Sequence, residues 1–298
     1  MLLSILTPTR NYEHFLRDAL ASVQAQGRLD VEHVVVDGGS TDGTRLLLEE
    51  WSDRIRYVSE PDAGQSDALN KAAAIASGQW LGWLNADEFY LPFAFDAFRA
   101  ALHQAPDADV IYGDCCLVDA VGQLLRLHPQ QRFRPRTLRW YGPIIASCAV
   151  FIRASAMPER GWDVALRRTM DWDLYLELQR QGANFLHIPT PLAAFRVHEA
   201  QVTAQQEPIW LGEALEVRAR HAMAQQPGSM RVLRALGRID HSANKLLIGA
   251  YQRQFRARQR LKGADLRWFT SAPARGNAHQ LLYIGSHPSV YPSGSVLQ

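Results

Sequence analysis

Along the first half of the chain, short apolar runs alternate with segments whose apolar residues recur at helical spacing. Residues 2–6 form a buried-strand run that leads into Thr7-Pro8-Thr9. Residues 12–26 carry Phe15, Leu16, Ala19, Leu20 and Val23 on one helical face. Residues 31–36 are mostly β-branched and predict a second strand. Gly38-Gly39-Ser40 closes it, and Ser40 or Thr41 is placed to cap a helix running through Trp51. A third strand is predicted over 55–58, an alanine-rich helix over 64–77, and a fourth strand over 79–84 that stops at Asn85-Ala86-Asp87. This order predicts an α/β fold, Rossmann-like, with a mainly parallel sheet flanked by helices on both faces. Ligands of such sheets bind beyond the carboxyl ends of the strands. The polar clusters 7–10, 37–44 and 85–88 fall at those ends.

The second half is less regular. Residues 109–126 predict strand, turn and strand about Val121-Gly122, and the basic, aromatic stretch 132–143 reads as a loop. A strand is predicted over 149–152, a helix over 171–182 and a short strand over 184–188. From 204 to 270 the chain becomes helical and rich in arginine, a basic C-terminal extension. Residues 271–298 carry Pro, Gly and Ser and read as a disordered tail. The expected division is therefore 1–203, 204–270 and 271–298.

Composition narrows the function classes. A hydrophobic share of 47% is that of an ordinary globular protein, and a net charge of +2 gives no bulk electrostatic reason to bind nucleic acid. Cys115, Cys116 and Cys148 do not make a disulfide framework, which points to a reducing, cytoplasmic compartment. The apolar stretch 80–98 is interrupted by Asn85, Asp87, Glu88, Pro92 and Asp96, so it is not expected to cross a bilayer. The apolar N-terminal run is too short for a signal peptide core.

The chemistry concentrates in five segments. In Val35-Val36-Asp37-Gly38-Gly39-Ser40-Thr41-Asp42-Gly43-Thr44, a strand-end carboxylate can accept hydrogen bonds from a base or ribose, and the glycines let a ligand approach the backbone. Any strand-to-helix turn uses the same residue types. As a string, however, this segment resembles the nucleotide-binding signature of family 2 glycosyltransferases of the GT-A fold. The other segments follow in that family's order. Residues 59–71 resemble its second donor segment, with Asp67, Asn70 and Lys71; taken alone, Asp67 and Lys71 are a solvated i,i+4 pair. Asn85-Ala86-Asp87-Glu88 lies where the family carries its D-x-D metal motif, with Asn85 in place of the first Asp. Thr169-Met170-Asp171-Trp172-Asp173 resembles the segment of the catalytic base, with Met170 where an acidic residue is usual. Phe195-Arg196-Val197-His198 resembles its R-x-H segment.

The resemblance covers residues 2–203 and implies an inverting transferase that moves a sugar from a nucleotide-diphosphate sugar to an acceptor hydroxyl. It implies Asp171 as base, with Asp173 in reserve. Asp87 and His198 are implied ligands of a divalent metal, Mn²⁺ or Mg²⁺. Thr7, Pro8, Thr9, Asn11, Asp37, Gly38, Ser40, Asp67, Asn70, Lys71, Asn85, Ala86 and Arg196 are implied donor contacts, with Arg196 opposing phosphate charge. The implied setting is bacterial surface polysaccharide or glycolipid synthesis, with a carbohydrate or lipid-linked acceptor. A sugar nucleotidyltransferase and a non-catalytic nucleotide-sugar-binding module are the competing classes. The first would want a glycine-rich basic N-terminal loop, which 7–11 does not supply.

One more pattern lies beyond the resemblance. Over 229–262, read as one or two helices, Val232, Leu236, Ile239, Ala243, Leu246, Leu247, Ala250 and Leu261 share a face beside Arg231, Arg234, Arg238, Lys245, Arg253, Arg256 and Arg260. A basic amphipathic helix suits peripheral contact with the inner face of a membrane. An apolar stripe of this kind equally suits packing on the first domain or on a second copy in a homodimer.

Overall fold

A computed structural model of the chain describes residues 2–27, 30–199, 207–223 and 227–285. The elements are β1 (Leu3–Thr9), α1 (Glu13–Gln24), β2 (Val31–Asp37), α2 (Thr44–Glu50), β3 (Arg56–Ser59), α3 (Gln65–Ile75), β4 (Trp80–Trp83), β5 (Phe89–Tyr90) and α4 (Ala94–Gln104). They continue with β6 (Val110–Val118), β7 (Leu124–His128), α5 (Pro135–Trp140), β8 (Val150–Arg153), α6 (Met170–Arg180) and β9 (Phe185–Arg196). Four further helices follow: α7 (Glu207–Arg220), α8 (Pro227–Leu247), α9 (Ala250–Leu261) and α10 (Ala272–Gly285).

The strands form one mixed sheet in the order β3-β2-β1-β4-β8-β6-β9-β5, with β7 added to β6. The first four strands are parallel, as expected. The other half departs from the parallel reading, because β8 runs antiparallel between β4 and β6 and β5 runs antiparallel to β9. Side chains alternate across the sheet. Ile5 and Val35 face a core with Leu16, Leu20, Phe95 and Phe98, while Leu6, Val34 and Val36 face a second core with Leu69, Trp162 and Trp172. Burial on both faces is why these strands read as unbroken apolar runs.

Register fixes the ligand edge. Thr9 pairs with Asp37, and Asp37 with Ser59, so the ends of β1, β2 and β3 lie side by side. Leu6 pairs with Trp83, which brings the segment 85–88 to the same edge. Phe89 pairs with Ala194, so the chain after β9 returns past the start of β5.

Three expectations are corrected. Strand β9 extends twelve residues through Pro189 and Pro191, past the expected end at 188. Register shifts about Gly113, Asp114 and Cys115 of β6 absorb the prolines, as bulges do. The loop expected over 132–143 contains α5, with Pro135 at its first turn. Residues 272–285 of the expected disordered tail form α10, which buries Ala274, Ala278, Leu281 and Ile284. Residues 286–298 and the expected boundary at 203 and 204 lie outside the described residues. Trp268, just before α10, donates its Nε1–H to the Tyr90 carbonyl at 2.9 Å and so fastens the extension beneath β5. Among the described residues no helix is long and apolar enough to cross a membrane.

Candidate active site

At the carboxyl ends of the parallel strands opens a cleft of about 350 Å³, lined by Pro8, Thr9, Arg10, Tyr12, Asp62, Gly64, Gln65, Ala68, Asn85, Ala86, Asp87, Glu88 and Phe195. Pro8, Thr9, Asn85, Ala86 and Asp87 were expected there from sequence.

Opposite the β1 end, Asp87 meets His198 across the β5–β9 pairing, with Oδ2 3.0 Å from Nε2. Both side chains are largely buried. Behind them lies Arg196, fully buried. Its Nε donates to the Asp87 carbonyl at 2.9 Å, one terminal nitrogen to the Ala120 carbonyl at 2.6 Å and the other to Asp18 at 2.7 Å. Its guanidinium also lies over the Phe15 and Phe89 rings. Arg196, expected to oppose phosphate charge, instead braces the Asp87 backbone from behind here and does not line the cleft. Glu88 turns inward, and burial followed by the charge of Asp87 pushes its carboxyl well above the usual range. One of its oxygens accepts from the Asn85 N–H at 2.8 Å, and the other is buried without a hydrogen-bond partner. A carboxylate and an imidazole in contact beside a cleft, with a half-satisfied carboxyl next to them, are donor types that fit a divalent cation. Among the described residues no cluster of three or more such side chains forms, so two protein ligands are the most the pair offers.

The glycine-rich segment supports the cleft more than it lines it. Asp37 is fully buried and accepts from the Ser40 N–H at 3.1 Å, the Ser40 hydroxyl, and the Ser59 hydroxyl at 2.7 Å. Asn11, in a left-handed conformation at φ 56°, donates its N–H to the Ser40 hydroxyl and accepts from the Thr41 N–H at 2.8 Å. These bonds tie the β1 end to the β2 end. At Gly38, a Cβ would stand 2.4 Å from an Asp62 carboxylate oxygen, so only glycine lets Asp62 reach the cleft wall. Asp62 is a cleft residue that sequence reasoning passed over, although it sits inside the second donor segment. Thr7 is buried and bonded to His33 Nε2 at 2.8 Å, away from the cleft lining.

Three other expected donor residues serve neighbouring loops. Asp67 accepts from the Ala63 N–H at 3.0 Å. Lys71 pairs with Glu60 at 2.9 Å and donates to the Pro61 carbonyl at 3.0 Å. Asn70 clamps the backbone of Trp162 by two hydrogen bonds of 2.8 and 2.9 Å. None of the three lines the cleft. Asp67 and Lys71 hold the 60–64 loop and the start of α3, from which Asp62, Gly64 and Gln65 reach the cleft, and Asn70 ties α3 to the Trp162 backbone.

Asp171 opens α6. The Ser66 hydroxyl, next to Gln65 of the cleft wall, donates to Met170 Sδ at 3.0 Å and so holds that helix start near the cleft. Burial raises the Asp171 pKa to about 6, and the charge of Glu213 adds to it, against hydrogen bonds that include the Trp172 N–H at 2.7 Å. Both Asp171 and Glu88 also push up the buried Tyr175 hydroxyl, after burial itself, which places Tyr175 within the field of both. Asp173 differs. Burial alone would raise its pKa, but hydrogen bonds from His221 at 2.9 Å and Arg160 at 2.7 Å, with the charges of Arg160 and Arg220, hold it below the usual range. A carboxylate so encased is held by its partners, whereas Asp171 is not.

Sequence reasoning also missed Glu213 of α7. Its carboxylate accepts from the Arg167, Arg168 and Thr169 N–H groups at 2.8, 2.8 and 3.0 Å, and from the Thr169 hydroxyl at 3.1 Å. The first helix of the C-terminal extension therefore holds the turn that delivers Asp171. A glutamate on a helix far along the chain gives no signal of this in sequence.

The family model of glycosyl transferase family 2 matches residues 4–159, which include β1 to β4 and the segment 85–88. The chain belongs to this family. It is 28% identical over 226 residues to an uncharacterised glycosyltransferase of Rickettsia typhi, covering 71% of each chain. Its fold is that of the GT-A glycosyltransferases. It superposes on Staphylococcus aureus TarS in complex with UDP-GlcNAc with a TM-score of 0.61 at 14% identity, covering 95% of this chain and 82% of that one. On the Pyrobaculum calidifontis mannosyltransferase in complex with GDP-Man and Mn²⁺ the TM-score is 0.56 at 19% identity, covering 96% and 76%.

Proposed function

We propose that this family 2 chain is an inverting, metal-dependent glycosyltransferase that uses a nucleotide-diphosphate sugar. The observation that carries this is the Asp87–His198 contact at the strand-end cleft. Support comes also from two superposable proteins, one binding UDP-GlcNAc and the other GDP-Man with Mn²⁺.

In this reading the base and ribose lie along Pro8, Thr9, Arg10 and Asp62, and the diphosphate points to Asp87 and His198. Asp87 and His198 would hold a divalent cation, which when bound would supply positive charge toward the departing diphosphate. Arg196 keeps Asp87 in place through its carbonyl. Asp171, ionised above about pH 6, takes the proton of the acceptor hydroxyl. The hydroxyl oxygen bonds to the anomeric carbon from the face opposite the diphosphate, whose bond to that carbon breaks, and the configuration inverts. The setting we infer is the cytoplasm, with a carbohydrate or lipid-linked acceptor of bacterial surface polysaccharide or glycolipid synthesis.

Release of nucleoside diphosphate from UDP-, GDP- and dTDP-sugars, with Mn²⁺ and with a chelator, tests the reading. One donor is expected to be hydrolysed slowly with metal and not without it. Donor binding with no turnover, even with acceptor extracts, would instead make the chain a binding module.

A further inference from the structure

Helix α8 is amphipathic in the opposite sense to a helix that packs a core. Its inward side is polar. Asp240 bonds to Arg134 at 2.6 Å and to the Thr137 hydroxyl, and Asn244 donates to the Arg132 carbonyl at 2.8 Å. The His241 ring stacks on Tyr141, with centroids 4.8 Å apart. Gly237 lies so close that a Cβ would meet the Tyr141 nitrogen at 2.9 Å. Its apolar stripe points outward: Val232, Leu236, Ile239, Leu246 and Leu247 are exposed, the last by 77%. A stripe at this spacing ordinarily faces a core, and here the catalytic domain does not cover it.

The chain then breaks at Gly249, whose φ is 66°, and α9 buries Ala250, Arg253, Ala257 and Leu261. Arg253 reaches in to the fully buried Asp114 at 3.0 Å. What α9 leaves outside includes Tyr251 and Phe255, which with Leu125, Arg126, Arg258 and Lys262 line a groove of about 480 Å³. Residues 227–262 carry nine Lys and Arg and a single acid, Asp240, which Arg134 already holds. Of these cations Arg231, Arg238, Arg256, Arg258, Arg260 and Lys262 are exposed.

We propose that the outward faces of α8 and α9 dock on a bilayer surface rich in anionic headgroups. Charge selects this occupant over a second copy. Two such faces brought together would set six exposed cations against six, with no acid to answer them. Aliphatic and aromatic side chains bordered by arginines instead match the acyl–headgroup boundary, where apolar groups insert and cations meet phosphate. The groove offers aromatic walls and three cations, a seat for one lipid phosphate. This inference stands on the extension and the β7 edge beside it and does not depend on the assignment of the base or the metal pair.

Co-sedimentation of the full chain with vesicles tests it. Binding is expected to vesicles of equal parts phosphatidylglycerol and phosphatidylcholine, to be about tenfold or more weaker on phosphatidylcholine alone, and to fall as salt shortens the range of charge attraction. The pair L246S and L247S, and separately the pair R256S and R258S, should each weaken it, with a melting temperature near that of the parent chain. If a pair fails to fold, the lipid and salt dependence of the parent chain still decides. Absence of binding at low salt, or equal binding to neutral vesicles, would overturn the proposal. So would a stable dimer in light scattering that L246S and L247S dissolve, which would give the face to a second copy. Equal affinity for a soluble acidic polypeptide would also overturn it.

Discussion

The Nε2 atom of His198 lies 3.0 Å from Oδ2 of Asp87, across 111 positions of sequence. The contact follows from the short β5–β9 pairing and from Arg196, which is fully buried and bonded to the Asp87 carbonyl. Removing either partner should therefore act on metal-dependent donor binding. Asp87→Ala and His198→Ala are each expected to weaken donor affinity in Mn²⁺ by about tenfold or more, taking the loss seen when metal-site groups are disturbed as a guide. Affinity measured with a chelator should change little. Titration calorimetry of both variants, with and without Mn²⁺, checks this, and equal losses in both conditions would remove the metal role.

Asp171→Asn should abolish turnover while sparing the donor. A general base contributes about 10²- to 10⁴-fold, so kcat should fall by that range with donor affinity unchanged. The pH dependence has a defined sign. Burial raises the Asp171 pKa to about 6, and the base works only when ionised. The rate should climb tenfold per pH unit up to about 6 and level above it. A profile flat between pH 5 and 7, or an active Asn variant, would place the base elsewhere.

Glu213→Ala should damage the turn before Asp171 from a distance. It leaves the N–H groups of Arg167, Arg168 and Thr169 without the acceptor they share. The Thr169 N–H is buried, and a buried donor left unpaired costs about 1–3 kcal/mol, so the melting temperature should fall by on the order of 5 °C. By the same logic, a chain ending at 203 loses Glu213, Arg220 and His221 together and should not support turnover. An active, stable 1–203 fragment would contradict the role given to α7.

Stability should fall on mild acidification. Burial holds the His33 pKa at about 3, and burial with the charges of Lys245 and Arg126 holds His128 at about 4. Both values lie below those of the unfolded chain. Between them the unfolded state binds more protons, so stability present at pH 7 is lost as the pH drops through 6 toward 4. Asp171 works in the opposite direction, because its folded-state pKa is raised, and it offsets part of the loss. The His33, His128 and Asp171 shifts together amount to a decrease of about 2 kcal/mol from pH 7 to pH 5. Urea unfolding at the two values measures it, and an unchanged or higher midpoint at pH 5 would show that these histidines titrate normally.

The legible parts were those with strong periodicity or strong chemistry. The apolar runs of β1 to β4 and the clusters at their ends could be read because buried parallel strands leave unbroken β-branched stretches and ligand loops collect Gly, Asp and Ser. Strand β9 was cut short because Pro189 and Pro191 look like terminators, and only the bulged register against Gly113 and Asp114 accommodates them. Helix α10 was hidden because its buried stripe starts with Ala274 and Ala278, which are weakly apolar, among Pro273 and Gly276. At the site, the structure places Asp87 and His198, named together from the sequence, 3.0 Å apart. It could not show that Arg196, Asn70 and Lys71 are spent on backbone and neighbouring loops, since a cation and an amide look the same in sequence whether they face a ligand or a carbonyl. Asp62 and Glu213 depend on approaches that exist only in three dimensions.

The most direct test of a metal-assisted donor site is a thermal-shift titration of the full chain with UDP-, GDP- and dTDP-sugars, with Mn²⁺ and with a chelator. A ligand held by the native state raises its melting temperature, by more as its concentration rises above Kd. One donor series is expected to raise the melting temperature by several degrees with Mn²⁺, much less with chelator, and not at all in Asp87→Ala. No shift with any nucleotide sugar in the presence of metal, or an equal shift in Asp87→Ala, would contradict the site as described.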